Sequence, residues 1–531
     1  MEQILSIENL SIALPRGADR GFAVDGVTLQ VARGEILCVV GESGSGKSVL
    51  ASAAMGALAP GLRRTGGRLT FQGQDVTDLP EKAWQKIRGN RIAMIFQEPM
   101  AALNPAIPVG GQVAEVLELH GDLDRAGRAA RVLALLAATH LPDPPRIAAS
   151  FPHQLSGGQC QRVVIAMALA MNPALLIADE PTTALDVTTQ AQVLRLIGEL
   201  RDNFGHGILF ITHDFGVVAE IADRVAVMRH GRLVEIGPAD QVLNRPQDPY
   251  TRMLIDAVPD LHRQVQRPSR QAEPALRIEG LAKTYGTLQA LKPVSLTLRR
   301  GRTVAIVGES GSGKSTLAKT VIRLQSCSAG RVLVDGQDFA ALSGRALARA
   351  RRRIQMIFQD PFGSLNPRRR VGDIVGRAAV LAGMTRAEAR ARAAELMELV
   401  GLKREALDRR PGQFSGGQRQ RIGIARALAM SPEIVIADES VSALDVSVQK
   451  QVLALIDDLQ QRLGLTVMFI THDLRVAAQI ADYIAVMRQG EVVEFGEAEA
   501  LLAAPRHDYT RALLDAAPGR HWSPPRLARE A

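Results

Sequence analysis

The sequence is poor in cysteine and has no long hydrophobic run. Its cysteines are Cys38, Cys160 and Cys327, and no CxxC pair occurs in the 531 residues. So few cysteines, odd in number, exclude a disulfide framework and a four-cysteine metal site, and they suit a reducing compartment. A helix that crosses a bilayer needs roughly 18 to 20 consecutive apolar residues. The apolar stretches of this sequence are much shorter, and ILCVV at 36–40, for example, has the length of a strand. We therefore expect no transmembrane helix.

The N-terminus lacks the pattern of a secretory signal. MEQILSIENLSIALPRG carries acidic residues early and has no basic region followed by an apolar segment. Hydrophobic residues make up 46% of the chain and charged residues 22%, which is the balance of a folded soluble protein rather than a disordered one. These features predict a folded chain that stays in the cytoplasm.

Basic residues outnumber acidic ones, and the formal net charge is +9. Such a charge suits nucleic acid or an anionic membrane surface as a partner. It equally suits a solvated protein surface, because runs such as RALARARRR at 345–353 are typical of exposed helix faces. The charge by itself leaves these alternatives open.

Internal repetition is the dominant feature of the sequence. The stretch GESGSGKS occurs twice, and four further pairs of motifs follow it in the same order in each half. The pairs are GESGSGKS at 41–48 and 308–315, IFQEP at 95–99 and IFQDP at 357–361, LSGGQ at 155–159 and FSGGQ at 414–418, LLIADE at 175–180 and IVIADE at 434–439, and FITHD at 210–214 and 469–473. A tandem duplication of one domain explains this order, and the chain length suits two domains.

Each repeat has the pattern of an α/β domain. A strand-like segment and a β-rich region lead to a short apolar strand before the glycine loop, and a helical pattern follows the loop. Residues between IFQ and SGGQ are rich in Ala, Leu and Arg and predict helices. Because the loop between the strand and the helix also has the phosphate-binding form G-x-x-x-x-G-K-S, we predict an α/β fold of two tandem P-loop NTPase domains, each an α/β core with a β-rich subdomain and an inserted α-helical subdomain. The predicted boundaries are 1–258 for the first domain, 259–274 for a linker, 275–518 for the second domain and 519–531 for a disordered C-terminal tail.

The repeated GESGSGKS matches the phosphate-loop pattern G-x-x-x-x-G-K-S/T between a predicted strand and a predicted helix. Glycines let the backbone N–H groups point at phosphates, the lysine would neutralise phosphate charge, and the serine would ligate magnesium. A loop that merely turns the chain is the plain alternative, which two matches in this context disfavour. The predicted nucleotide-binding residues are Gly41, Ser43, Gly44, Gly46, Lys47, Ser48 and Val49 in the first copy and Gly308, Ser310, Gly311, Gly313, Lys314, Ser315 and Thr316 in the second.

An apolar strand ends in two acidic residues in each copy. Asp179 and Asp438 are predicted to hold the magnesium shell. Glu180 and Glu439, one residue further on, are predicted to act as general base or to polarise the attacking water. Acids at strand ends can also be ordinary loop residues, but a phosphate loop in the same domain disfavours that alternative.

A histidine and a glutamine complete the predicted site in each copy. His213 and His472 follow an apolar strand at the same spacing from the glutamate, where they would contact the γ-phosphate and orient the glutamate and water. Gln97 and Gln359 follow a strand and lead into the helical insert, so they would reach magnesium and couple nucleotide state to an external partner. The predicted catalytic residues are Glu180, His213, Glu439 and His472, and the predicted magnesium ligands are Ser48, Gln97, Asp179, Ser315, Gln359 and Asp438.

Together these motifs resemble the nucleotide-binding domains of ABC transporters over nearly all of both halves. In that family two domains pair head to tail, and each ATP lies between the glycine loop of one domain and the SGGQ of the other. The resemblance implies that the two domains pair within this one chain, with ATP and Mg2+ as cofactors. Residues 41–48 would then pair with 415–418, and residues 308–315 with 156–159. It assigns nucleotide binding to Ser156, Gly157, Gly158, Gln159, Ser415, Gly416, Gly417 and Gln418.

Finer matches resemble the ATPases of peptide and nickel importers: QEPMAALNP at 97–105, QDPFGSLNP at 359–367, DPYTRML at 248–254 and HDYTRAL at 507–513. The resemblance implies an ATP-hydrolysing subunit that energises an importer of peptides or peptide-like compounds, such as dipeptides, oligopeptides, glutathione or microcin C-type peptides. It implies peripheral attachment to the cytoplasmic face of the inner membrane, with two membrane permease subunits and a periplasmic solute-binding protein as partners and no nucleic acid. The cysteines that many relatives carry near the C-terminus, proposed for an iron–sulfur cluster, are lacking, so we assign no cluster.

The sequence also departs from the family pattern. An aromatic residue before the glycine loop usually stacks on adenine, and Tyr285 fits that place in the second half, whereas the first half has Leu14, with Phe22 as a possible substitute.

Two other functions remain as alternatives. One is a soluble tandem ABC ATPase acting on ribosomes or nucleic acid, which the basic charge favours and the short linker and LNP and DPYT elements disfavour. The other is an exporter ATPase with separate membrane subunits, which the importer-like motifs disfavour.

Overall fold

The computed structural model describes residues 2–183, 185–259, 272–441 and 444–525. The chain divides into two compact units, 1–258 with 518–531 and 259–517. Most of the predicted linker at 259–274 and residues 526–531 of the predicted tail lie outside the described residues. Residues 519–525 are structured where disorder was expected, because the Trp522 indole donates a hydrogen bond to Asn244 Oδ1 at 3.0 Å and Gly519 packs against Gly216.

The described residues of the first unit contain ten strands, β1 to β10: Gln3–Ala13, Phe22–Ala32, Ile36–Val40, Arg63–Phe71, Gln74–Asp75, Ile92–Ile95, Leu175–Asp179, Gly207–Ile211, Arg224–Arg229 and Arg232–Pro238. Its described helices, α1 to α11, are Lys47–Ala54, Glu81–Ile87, Pro99–Ala102, Val109–His120, Arg125–Ala138, Pro144–Ala149, Gly157–Ala168, Val187–Phe204, Phe215–Ile221, Ala239–Asn244 and Pro249–Asp256. A 3-10 turn, Pro152–Gln154, precedes α7.

Two sheets organise this unit. An antiparallel sheet has the order β2-β1-β4-β5, and a six-stranded sheet has the order β10-β9-β3-β8-β7-β6. Within the larger sheet, β10 runs antiparallel to β9 and the other neighbours are parallel, with Ile36 opposite Ile208 and Leu37 opposite Arg224. Helices α3 to α7 lie between β6 and β7 in the chain, which is the helical insertion that the sequence predicted.

The second unit repeats this arrangement. Its strands, β11 to β20, are Pro274–Tyr285, Leu288–Arg299, Thr303–Val307, Ala329–Val334, Gln337–Asp338, Ile354–Ile357, Ile434–Asp438, Thr466–Thr471, Tyr483–Arg488 and Glu491–Glu497. Its described helices, α12 to α20, are Lys314–Val321, Gly344–Arg353, Val371–Leu381, Arg386–Leu399, Gly416–Leu428, Val446–Leu463, Leu474–Ile480, Ala498–Ala503 and Asp508–Asp515, with 3-10 turns at Arg404–Asp408 and Pro411–Gln413. The sheet orders are β12-β11-β14-β15 and β16-β17-β18-β13-β19-β20.

The burial pattern explains why these segments form these sheets. Every residue of β3, β7 and β8 is buried, because parallel strands in the middle of an α/β sheet are covered on both faces. β2 instead alternates buried and exposed positions, as expected for a strand with one solvated face. The predicted α/β fold of two tandem P-loop domains is confirmed.

Along the described ranges, no helix is both long enough and apolar enough to cross a bilayer.

Candidate nucleotide-binding sites

The glycine loop connects β3 to α1 in a conformation that needs glycine. Gly46 caps the helix at a φ of 106°, and a Cβ placed there would lie 2.3 Å from the Ala23 carbonyl oxygen. A Cβ on Gly41 would lie 2.2 Å from the Met228 carbonyl oxygen. These contacts are too short for any side chain, so the neighbouring backbone enforces the glycines of the motif. The second loop has the same shape, with its helix-capping glycine at a φ of 102°.

The lysine of each loop is buried and held by the loop's own carbonyl groups. Lys47 Nζ donates to Gly41 O at 2.7 Å and to Glu42 O at 2.9 Å. Lys314 Nζ donates to the carbonyls of residues 308 and 309 at 2.7 and 2.8 Å. Only 5% of Lys47 is exposed. A buried ammonium group fixed in this way is oriented toward an anion bound by the loop.

The serine that follows the lysine reaches the aspartate at the end of the neighbouring strand. Ser48 Oγ donates to Asp179 Oδ1 at 3.1 Å, and Ser315 Oγ donates to Asp438 Oδ1 at 3.1 Å. Burial raises the pKa of both aspartates, and the serine hydrogen bonds oppose part of that rise.

This pair of oxygen donors fits magnesium, which prefers hydroxyl and carboxylate ligands together with phosphate oxygens. The described ranges contain no group of three or more His, Cys, Asp or Glu side chains that could hold a metal ion. A magnesium ion at Ser48 and Asp179 would therefore complete its shell with nucleotide oxygens and water.

Glu180 is surrounded by groups that orient its carboxylate. Gln97 Nε2 donates to Glu180 Oε2 at 3.0 Å, Thr183 Oγ1 donates to the same oxygen at 3.1 Å, and His213 Nδ1 lies 3.3 Å from Oε1. Burial would raise the pKa of Glu180, but the hydrogen bond and charge of His213, helped by the charge of Lys47, outweigh it and lower the pKa. The carboxylate is thus ionised and its direction is fixed.

The second domain brings together the corresponding residues. Gln359 Nε2 donates to Glu439 Oε2 at 2.7 Å, and Lys314 Nζ lies 4.0 Å from Glu439 Oε1. His472 is the first residue after β18, and His213 is the second residue after β8. Both copies therefore place a glutamine and a lysine of the predicted set around the glutamate.

Glu180 and Glu439 both have a left-handed backbone conformation, which no sequence motif predicts. The φ angles are 46° for Glu180 and 41° for Glu439. The Glu180 N–H donates to Ile211 O at 2.9 Å and the Glu439 N–H donates to Ile470 O at 3.0 Å, so each strained residue is fastened to the adjacent strand. Strain of this kind in non-glycine residues concentrates at functional sites.

The SGGQ motifs begin helices α7 and α16, as expected from their sequence. Ser156 Oγ accepts from the Gln159 N–H at 3.3 Å, and Gln159 Oε1 accepts from the Ser156 N–H at 2.9 Å. Ser415 and Gln418 make the same reciprocal pair at 3.4 and 3.1 Å. The motif is therefore also a capping box, a role that its S-x-x-Q spacing could have revealed.

The two aromatic candidates for adenine stacking are both surface residues. Tyr285 ends β11 with 41% of its surface exposed, and Phe22 begins β2 with 40% exposed. The Tyr285 hydroxyl donates to Gln325 Oε1, and Lys283 Nζ lies 4.9 Å from the ring centroid.

In the first domain the Arg20 guanidinium donates to the Gly44 carbonyl of the glycine loop. No sequence motif links a residue of the β1–β2 connection to the glycine loop, so this contact could not be predicted.

The fold and these two sets of residues define a class: a P-loop ATPase that carries two nucleotide-binding domains. Comparison with known proteins narrows the class. A family model described as ABC transporter matches residues 24–183 and 291–442, and a model described as oligopeptide/dipeptide transporter, C-terminal region, matches residues 234–281 and 493–526. The chain belongs to the ABC transporter family, and it is an ATP-binding protein with ATPase activity.

Two relatives match this chain over nearly its whole length. The chain is 45% identical to the peptidoglycan transport ATP-binding protein YejF of Agrobacterium fabrum, over 97% of this chain and 96% of that protein. It is 44% identical to the glutathione import ATP-binding protein GsiA of Escherichia coli, over 97% of this chain and 89% of that protein. Among solved structures, CbiO1 from Clostridium perfringens, part of the ABC transporter complex cbiONQ, aligns with 46% of this chain and 94% of its own at 28% identity and a TM-score of 0.41.

Proposed function

We propose that this protein is the ATP-hydrolysing subunit of an importer of peptides or peptide-like compounds. The observation that carries the proposal is the match of both halves to the oligopeptide/dipeptide transporter C-terminal region, at 234–281 and 493–526. The names of the relatives, a peptidoglycan transporter and a glutathione importer, support the same class of cargo. The protein would attach peripherally to the cytoplasmic face of the inner membrane and work with two permease subunits and a periplasmic solute-binding protein.

Within each domain, the side chains divide the chemistry of ATP hydrolysis. Lys47 would bind the phosphates, and Ser48 and Asp179, which are hydrogen-bonded to each other, would hold magnesium. Magnesium, when bound, neutralises phosphate charge and orients the terminal phosphate. Glu180 accepts a proton from the attacking water or polarises it, while Gln97 and His213 hold the carboxylate in place. The second domain uses Lys314, Ser315, Asp438, Glu439, Gln359 and His472 in the same roles.

We further propose that each ATP is shared by the two domains. The N–H groups at the start of α7 and α16 suit a γ-phosphate supplied from outside the domain, because a helix N-terminus favours an anion. Residues 156–159 would then serve the loop at 308–315, and residues 415–418 the loop at 41–48. Closure on ATP and reopening after hydrolysis would be passed through the helical subdomains to the permeases.

Co-purification tests the importer against the ribosome-associated alternative. The tagged full-length protein is isolated from its own cells in mild detergent, and the Glu180→Gln/Glu439→Gln variant, expected to hydrolyse slowly and so to hold its partners, is isolated in parallel. We expect two membrane proteins to co-purify, resistant to nuclease. Retention of salt-sensitive RNA or ribosomal proteins in place of membrane proteins would overturn the proposal.

A further inference from the structure

In both domains a tyrosine hydroxyl is hydrogen-bonded to the second residue of the glycine loop. The Glu42 N–H donates to the Tyr250 hydroxyl oxygen at 3.3 Å, and the hydroxyl donates to Glu42 Oε2 at 3.1 Å. In the second domain the Glu309 N–H donates to the Tyr509 hydroxyl oxygen at 3.2 Å. Tyr250 lies in the DPYT stretch and Tyr509 in the HDYT stretch, and neither is among the residues predicted from sequence to bind the nucleotide.

The helix that carries each tyrosine has a fixed start. In the first domain the Asp248 carboxylate accepts from the Tyr250 N–H at 2.8 Å, and in the second His507 Nδ1 accepts from the Tyr509 N–H at 3.1 Å. A glutamate of the last strand, Glu235 or Glu494, accepts from the two backbone N–H groups that precede α11 or α20, at 2.8 and 3.1 Å in each domain. The duplicated geometry survives even though the capping residue differs between the copies.

The tyrosine rings are buried, and an arginine guanidinium lies against each. Tyr250 is 4% exposed and Tyr509 is 6% exposed. The guanidinium of Arg229 lies 4.7 Å from the Tyr250 ring centroid, and that of Arg488 lies 4.9 Å from the Tyr509 ring centroid. Burial raises the pKa of both hydroxyls, that of Tyr509 to about 12, so each stays protonated and able to donate at neutral pH.

The contact leads directly to the phosphate-binding lysine. The Glu42 residue whose N–H meets Tyr250 offers its carbonyl to Lys47 Nζ at 2.9 Å, and Glu309 offers its carbonyl to Lys314 Nζ at 2.8 Å. One loop residue therefore stands between the hydroxyl and the ammonium group. The N–H that meets the hydroxyl also shares its peptide unit with the carbonyl of residue 41 or 308, which accepts from the lysine at 2.7 Å. Removing the hydroxyl would loosen that peptide unit, without touching the glutamate that handles the water.

We propose that Tyr250 and Tyr509 are positioning residues that hold the glycine loop and its lysine in the conformation that binds ATP. The inference rests on the proposed nucleotide-binding role of the loops. It gives the segments matched as the transporter C-terminal region a function inside each ATP site. Because the hydroxyl contacts the loop, its effect falls on ATP affinity rather than on the chemical step.

The test uses the full-length protein with the paired substitution Tyr250→Phe/Tyr509→Phe, which keeps both rings. We expect the KM for ATP and the Kd of a fluorescent ATP analogue to rise about fivefold or more, the size of one net hydrogen bond, with kcat changed about twofold or less. Tyr483→Phe is the matched control, since that tyrosine stacks on Phe495 with centroids 5.8 Å apart in the second domain and belongs to neither site. The control should keep the wild-type KM.

An unchanged KM, or a loss in kcat alone, would overturn the proposal. If the paired variant melts far below the wild type, the single variants Tyr250→Phe and Tyr509→Phe, each of which removes one hydroxyl contact to a loop N–H, are measured instead, and wild-type affinity for ATP in both would equally overturn it. Lys47→Ala/Lys314→Ala is measured alongside. If the lysine variant still binds ATP, the proposed role of the loops is contradicted. If the lysine variant loses ATP binding while the tyrosine variant keeps the wild-type affinity for ATP, only the tyrosine proposal is rejected.

Discussion

At the scale of single residues, burial decides what a histidine–glutamate pair can do. His213 Nδ1 lies 3.3 Å from Glu180 Oε1, and these side chains are only 20% and 15% exposed. His140 Nε2 lies at the same 3.3 Å from Glu199 Oε2, but those side chains are 61% and 41% exposed. Solvent screens the second pair, whereas the first contributes to lowering the pKa of Glu180.

Replacing the buried histidine should move the acid limb of ATP hydrolysis. In His213→Asn the imidazole no longer lowers the pKa of Glu180, so burial raises that pKa. On acidification, Glu180 then becomes protonated at a higher pH than in the wild type. We expect turnover at neutral pH to fall about tenfold or more, with its acid limb shifted upward, in ATPase assays over a pH series.

The exposed pair supplies the control for this experiment. His140→Asn suits the left-handed backbone at that position, where φ is 56°, because asparagine tolerates it. Its pH profile should match the wild type. An unshifted acid limb in His213→Asn would show that His213 does not control the carboxylate.

At the scale of secondary-structure elements, the SGGQ helices are seated tightly on the helices that follow the Asp-Glu strands. A Cβ on Gly158 of α7 would lie 2.4 Å from Thr189 Cγ2 of α8, and a Cβ on Gly417 of α16 would lie 2.3 Å from Val448 Cγ1 of α17. Short β-branched side chains cannot move aside cheaply. The third residue of each SGGQ motif must therefore be glycine, because a side chain there would clash with the neighbouring helix of the same domain.

Gly158→Ala should therefore destabilise the protein, although alanine favours helix. We expect a loss of about 1 to 3 kcal/mol in the free energy of unfolding of the first domain, from overpacking, measured by urea or thermal denaturation. Gly198→Ala in α8 is the control, because its Cβ would meet nothing within 4 Å. The control should gain roughly 0.5 to 1 kcal/mol. Equal effects of the two substitutions would refute the packing argument.

At the scale of the whole molecule, the duplication extends to the geometry of the glycine loop and of the aspartate beside it. The Ser48–Asp179 and Ser315–Asp438 hydrogen bonds are both 3.1 Å long, and each lysine donates to the two corresponding loop carbonyls. Both copies thus retain the groups proposed for ATP hydrolysis. The proposed mutual dependence of the two sites can therefore be tested by altering one copy at a time.

If each ATP is shared between domains, one substitution should impair both sites. Glu180→Gln keeps the size of the side chain and removes its charge. We expect it to reduce ATP turnover of the whole chain well below half of the wild-type value, while the ATP Kd changes little. The double variant with Glu439→Gln should lose about 100-fold or more.

Glu199→Gln, on the surface, is the control for charge removal and should hydrolyse ATP normally. Half of the wild-type turnover in either single variant would mean independent sites. Unchanged hydrolysis in the double variant would remove the glutamates from the mechanism.

Some features of the candidate site could be predicted from the sequence, whereas others in the same site could not. The glycine loop, the Asp-Glu strand end and the glutamine after IF were predictable, because each motif has a fixed order within a strand, turn or helix. The left-handed backbone of Glu180, the Arg20 contact to Gly44 and the Tyr250 contact to Glu42 were not. These depend on segments far apart in the chain, for which no spacing rule exists.

The duplicated α/β domains, the family and the residue types proposed for the chemistry all follow from the sequence, because periodicity and local motifs encode strands, helices and phosphate loops directly. Tertiary structure decided what those residues contact. The fold places Tyr250 against a loop that lies more than 200 residues earlier in the sequence. It also buries the His213–Glu180 pair, which is therefore less screened by solvent than the equally close His140–Glu199 pair. Distance along the chain hides such contacts, and only folding creates the burial that gives them their energy.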